Sequence, residues 1–108
     1  MILTAALACT LSFTLPAHRY PLTERCGVGT DSLTLACIRV YLEADCPPWP
    51  QPCGYCSPVL IECKDERGRE GLRETLILTL PTSGLAFVIA FDTEGRPSPR
   101  CAWVRVGP

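Results

Sequence analysis

A chain of 108 residues with ten basic and eleven acidic side chains has room for one domain, and its net charge of −1 offers no polycationic surface for nucleic acid. Eight cysteines and eleven prolines in so short a chain point to a disulfide-stabilised scaffold around a small core. A single histidine, His18, argues against histidine-based acid–base catalysis and multi-histidine metal sites, and the absence of asparagine excludes N-glycosylation.

The chain opens on an uncharged, mostly apolar run that ends at Leu15-Pro16-Ala17, a small-residue cleavage pattern ahead of His18 and Arg19. The run is too short for a membrane helix, which needs about 20 apolar residues. The expectation is a cleaved secretory signal over residues 1–17, then one disulfide-rich extracellular β-domain over residues 18–108 that is secreted and has no membrane span. The competing reading of the same run is a short N-terminal strand. Cleavage would remove Cys9 and leave Cys26, Cys37, Cys46, Cys53, Cys56, Cys63 and Cys101. That odd number implies three bridges with one unpaired thiol, or a bond to a second chain that would make a disulfide-linked dimer.

Residues 18–30 are polar and turn-like. Leu33, Leu35 and Cys37 then alternate with Thr34 and Ala36, and from Ile38 the apolar set changes parity to Ile38, Val40 and Leu42. A one-residue change of parity inside a strand pattern predicts a bulge or a strand end. Residues 46–53 hold four prolines and predict a stiff extended loop. Val59, Ile61 and Cys63 mark one face of a short strand. Residues 64–74 are dense in charge and read as a solvated turn. Leu76, Leu78 and Leu80 alternate inward, and Pro81-Thr82-Ser83-Gly84 is a turn cluster. Leu85, Phe87, Ile89 and Phe91 share one face of the next strand, residues 92–99 form a loop, and residues 101–106 make the last strand. Short strands divided by turn signals predict an all-β fold, a small antiparallel β-sandwich of the fibronectin-III or immunoglobulin kind.

Cys46, Cys53, Cys56 and Cys63 form the densest cysteine cluster. A zinc site would want two C-x2-C knuckles, and only Cys53-Gly-Tyr-Cys56 is present. A redox motif would want that pair at the start of a helix in a βαβ unit, whereas Ser57-Pro58 and a strand follow it. Structural disulfides are the better reading. No cofactor, no metal and no enzyme activity are expected. Cys37 and Cys63, each at the end of a strand-like run, are the candidates to partner Cys101, and the connectivity stays open. Trp49, Tyr55 and Tyr41 are the candidate protein-binding residues, the first two carried by the proline-rich segment and its neighbour; large aromatics on rigid loops are good anchors for a partner. Trp103 is expected to pack inside the sandwich.

The ordered set of Ser32-Leu-Thr-Leu-Ala-Cys37, Cys53-Gly-Tyr-Cys56 before Val59-Leu-Ile-Glu-Cys63, Phe87-Val-Ile-Ala-Phe91, and Arg100-Cys101 before Val104-Arg105-Val106 resembles the N-terminal extracellular region of the interleukin-17 receptor family, nearest its receptor C and receptor E branch. The resemblance runs over residues 31–106. It implies a fibronectin-III-like module for protein recognition, in a soluble or truncated form, with an interleukin-17-type cytokine or a co-receptor as partner. The family's members carry a membrane helix and a cytoplasmic signalling domain that have no counterpart in these residues. The alternative is a cystine-knot-like secreted ligand, against which the growth-factor C-x-G-x-C and closing C-x-C motifs are missing.

Overall fold

The computed structural model describes residues 7–20, 25–45 and 57–107. These residues form six strands and no helix: β1 (Leu7–Thr14), β2 (Leu35–Ala44), β3 (Val59–Asp65), β4 (Arg73–Leu80), β5 (Gly84–Asp92) and β6 (Pro97–Val106). β1 and β4 pair as a two-stranded sheet, and the second sheet has the order β3-β2-β5-β6, with every pairing antiparallel. The fold is an antiparallel β-sandwich, as the strand pattern predicts.

The core lies between the two sheets and follows from period-two alternation. β1 contributes Leu11 and Phe13, β4 contributes Leu76, Leu78 and Leu80, and β2 contributes Leu35, Ile38, Val40 and Leu42. The change of parity expected near Cys37 is present: the β2–β5 register shifts between Leu35 and Cys37, so Leu35 and Ile38 both face inward. β5 differs in a telling way. Its inward residues are the small Ala86, Val88 and Ala90, all fully buried, while Leu85, Phe87, Ile89 and Phe91 point to the outer face. The opposite sheet already supplies five large side chains to a layer of fixed thickness, so the facing strand fills it at native density only with small ones. Gly84 opens β5 for a related reason. It has φ +155°, and a Cβ there would lie 2.5 Å from the Glu43 carbonyl oxygen.

The run expected as a leader is placed inside the sandwich. Leu7–Thr14 pairs along its whole length with β4, and Leu15 beyond it is 1% exposed. The chain then stays attached: Leu15 N–H donates to the Leu72 carbonyl, Gly71 N–H to Leu15, Leu33 N–H to Ala17 and Arg19 N–H to Asp31. The β-domain expected from residue 18 therefore extends in the structure back to Leu7. The last strand likewise starts earlier than expected, at Pro97.

The charged segment after β3 is more than a solvated turn. Glu66 N–H bonds the Ala36 carbonyl, and the Glu70 carboxylate accepts from Leu35 N–H at 2.8 Å. These bonds fold the segment over one end of the sandwich.

Cys101 pairs with Cys26, across a sequence separation of 75, and with neither Cys37 nor Cys63. The reason is positional. Cys37 and Cys63 sit on β2 and β3, and β5 stands between those strands and β6. A register shift next to Val88 and Ile89 sets Cys101 apart from the regular pairs, and the disulfide lies in the groove where β1 runs beside β6. Cys9, Cys37 and Cys63 carry free thiols, while Cys46, Cys53 and Cys56 lie outside the described residues. No helix among the described residues is long and apolar enough to cross a membrane.

Candidate functional site

The outward residues of the four-stranded sheet line up across strands. Register places Leu60 opposite Tyr41, Tyr41 opposite Phe87 and Phe87 opposite Trp103. This row crosses the whole sheet. Beside it, Arg39 pairs with Ile89 and Ile89 with Arg100, and Phe91 pairs with Cys37 on one side and Pro97 on the other. Cross-strand aromatic and aromatic–aliphatic pairs of this kind stabilise a sheet by about 0.2–1 kcal/mol each. The side chains also make a contact surface. The Tyr41 and Phe87 rings stack with centroids 5.6 Å apart, and a shallow hollow of about 340 Å³ is lined by Tyr41, Pro58, Phe87, Ile89 and Phe91.

Arginines cover part of this apolar face. Arg100 lies 3.9 Å from the Phe87 ring centroid, and Arg39 lies 4.3 Å from that of Phe91. A guanidinium over an aromatic face gains roughly 0.5–1 kcal/mol at an exposed site, and its planar group keeps donors free at the edge. Arg100 also reaches Glu43 at 2.9 Å, and Arg105 reaches Asp45 at 2.7 Å. Arg105 and its neighbouring side chains hold the Asp45 carboxyl below the usual range, the hydrogen bond from Arg105 being the largest cause and that from Ser83 the next. Phe87 is consequently 6% exposed although it points outward, while Trp103 is 64% exposed. Trp103 does not pack inside the sandwich as expected; it is an outer-face residue because β6 turns Ala102 and Val104 toward the core.

Of the three residues singled out for binding, Tyr41 is on this face and Trp49 and Tyr55 lie outside the described residues. Phe87, Phe91, Arg39, Arg100 and Trp103 were missed as surface residues. The available signal was the pair of alternating sets in β5, large apolar residues (Leu85, Phe87, Ile89, Phe91) at odd positions and smaller ones (Ala86, Val88, Ala90) between them.

Two carboxylate clusters elsewhere serve the fold. Asp92 closes the β5–β6 turn, accepting from Glu94 N–H, Arg96 N–H and Arg96 Nε, each at 2.9 Å. Desolvation pushes its pKa up, but these bonds outweigh it and the net shift is downward. Tyr20 donates to the Arg96 carbonyl at 3.2 Å, and burial together with Asp92 pushes its hydroxyl up to about 12.

The second cluster is Glu66, fully buried, with Glu74, Lys64 and Arg69. Arg69 Nε meets Glu66 Oε2 at 3.0 Å and Lys64 Nζ meets Glu74 Oε2 at 3.0 Å, while Glu66 Oε1 accepts no hydrogen bond and lies 3.6 Å from Lys64 Nζ. Burial first, and the neighbouring Glu74 carboxylate second, raise the Glu66 pKa. Glu74 is lowered, chiefly by its hydrogen bond with Glu66. Burial and the neighbouring carboxylate thus favour the protonated form of Glu66 against the pull of Lys64 and Arg69. Because the folded pKa of Glu66 lies above its unfolded value, this group's stabilising contribution is complete below about pH 4.5 and is lost as pH rises through the folded pKa. Glu66→Gln is expected to remove that loss. In urea titrations from pH 4.5 to 8, the wild-type midpoint should fall relative to that of Glu66→Gln as pH rises; parallel curves would show that Glu66 does not titrate in this window.

Comparison with known proteins returns no matching family model, no matching curated protein and no matching solved structure.

Proposed function

We propose that the chain is a receptor-like recognition module that binds a protein partner through the outer face of its four-stranded sheet. The observation that supports this reading is the unbroken row Leu60–Tyr41–Phe87–Trp103, with Arg39 and Arg100 laid on the adjoining phenylalanine rings. Tyr, Trp and Arg are the residues that most often carry binding energy in protein interfaces. They stand here on rigid strands, so little side-chain freedom is lost on binding. The resemblance of residues 31–106 to interleukin-17 receptors names the first partners to try, a cytokine of that type or a co-receptor.

Surface plasmon resonance with the full chain against a panel of interleukin-17-type cytokines and receptor ectodomains tests the reading. Micromolar or tighter binding to one of them is expected. Trp103→Ala and Tyr41→Ala should each weaken it at least tenfold, while the urea midpoint of Trp103→Ala stays near that of wild type. No binding across the panel would sink the proposed partner class. Binding that both substitutions leave intact would remove the outer face as its site.

A further inference from the structure

We propose that Cys37 and Cys63 form a reversible thiol–disulfide site on the outer face, oxidised by a low-molecular-weight disulfide to a bond that ties the edge strand β3 to β2. Register carries the argument. Cys37 stands opposite Asp65 and Arg39 stands opposite Cys63 in the antiparallel β2–β3 pair. Side chains alternate with period two, so the two cysteines occupy the same face at diagonal positions of adjacent strands. Both thiols are free, Cys63 exposed and Cys37 half-buried. The Cys37 thiol is pushed up by burial first, and then by the charge and hydrogen bond of Cys63, in keeping with the neighbouring positions that the register gives them.

Distance permits closure with a small movement. Diagonal Cα atoms in an antiparallel pair are about 7–8 Å apart, and a disulfide spans up to about 6.8 Å. A slide of about 1 Å suffices. β3 is free to make it, because it is the edge of the sheet and every one of its residues except Ile61 is exposed. It also carries a register irregularity opposite Val40 and Tyr41 that loosens its pairing.

The reaction balances with oxidised glutathione as the named oxidant. The exposed Cys63 gives up its proton, and its thiolate attacks one sulfur of the glutathione disulfide, releasing the first glutathione thiolate. The Cys37 thiolate, its own proton lost to solvent, then attacks the Cys63 sulfur of the mixed disulfide and expels the second glutathione. Two protein thiols lose two electrons and two protons, and one glutathione disulfide becomes two glutathione thiols.

The consequence for binding rests on the outer face being the recognition surface, because Cys37 pairs with Phe91 and Arg39 pairs with both Cys63 and Ile89. The bond itself does not depend on that reading, and the experiment separates the two. The full chain is equilibrated in glutathione buffers from reducing to oxidising, alkylated and mapped by mass spectrometry, with amide exchange measured on the same samples. A peptide linked Cys37–Cys63 is expected in monomeric protein. Exchange of the amides in β3 should slow at least tenfold on oxidation in wild type and in Cys9→Ser, and stay unchanged in Cys37→Ser and Cys63→Ser. Three results would overturn the proposal: both thiols alkylatable across the whole range, Cys63 held as a glutathione adduct beside a free Cys37, or either cysteine linked to any other, in this chain or a second copy. Binding that does not respond to a confirmed Cys37–Cys63 bond would count against the outer-face reading alone.

Discussion

A chain shortened to begin at His18 is expected to be unfolded at 25 °C, with amides exchanging at the unprotected rate and no cooperative urea transition. The reason lies in what residues 7–17 supply. Leu11, Phe13 and Leu15 are all buried, and burying side chains of this size stabilises by about 1.5–3 kcal/mol each. Their sum, about 5–9 kcal/mol, is comparable to the whole stability of a typical domain, about 5–15 kcal/mol. The shortened chain also strips β4 of its hydrogen-bonded neighbour, since β1 is the strand with which it pairs. Leu76, Leu78 and Leu80 would then sit on an isolated strand, which has no means of holding them over the core. Leu15→Asp in the full chain separates packing from length, because it keeps every residue and buries one carboxylate at a position 1% exposed. It too should lose the cooperative transition. A shortened chain that melts with the wild-type midpoint would show that β4 does not need β1.

The same segment shows where the sequence was hard to read. Leu7, Cys9, Leu11, Phe13 and Leu15 alternate with Ala8, Thr10, Ser12 and Thr14, which is the period of a strand buried on one face. The outward residues are small and uncharged, so the run also satisfies the looser apolar pattern of a leader, and composition alone favours neither. β4 was legible because its leucines recur at every second position: Glu74 apart, its inward set is Leu76, Leu78 and Leu80, with Thr75, Ile77 and Thr79 on the other face, as alternation predicts. β5 was legible as a strand and ambiguous in orientation, since both of its faces are apolar. Only the size of the facing layer decides that Ala86, Val88 and Ala90 go inside. The surface site hid behind that ambiguity, because Phe87 and Phe91 read as core residues until the opposing leucines are counted. The parity change at Cys37 could be read directly, because it flips a run of large apolar residues that must all reach one core. The pairing of Cys101 could not be read, since it depends on which strands are neighbours and on a bulge in β6.

Replacing both Cys26 and Cys101 by serine is expected to cost about 4 kcal/mol and to lower the urea midpoint by about 2–4 M. The disulfide closes a loop spanning a sequence separation of 75, and restricting the unfolded chain over that length accounts for roughly this much. With a urea dependence of about 1–2 kcal/mol per M for a domain of this size, the midpoint shift follows. The double variant is the right test, because a single substitution leaves a thiol free to mispair with Cys9, Cys37 or Cys63. The loss should also be uneven. Cys26 belongs to the segment that links β1 to β2, and its partner lies on the edge strand β6 beside β1. Without the bond, that side of the sandwich is held by packing across the groove lined by Leu11, Phe13 and Ala102. Amide exchange in β1 and β6 should therefore accelerate more than in β2 and β5, which keep partners on both sides. Uniform acceleration across all four strands would mean that the bond acts through the unfolded chain alone and does nothing to hold the seam between the sheets.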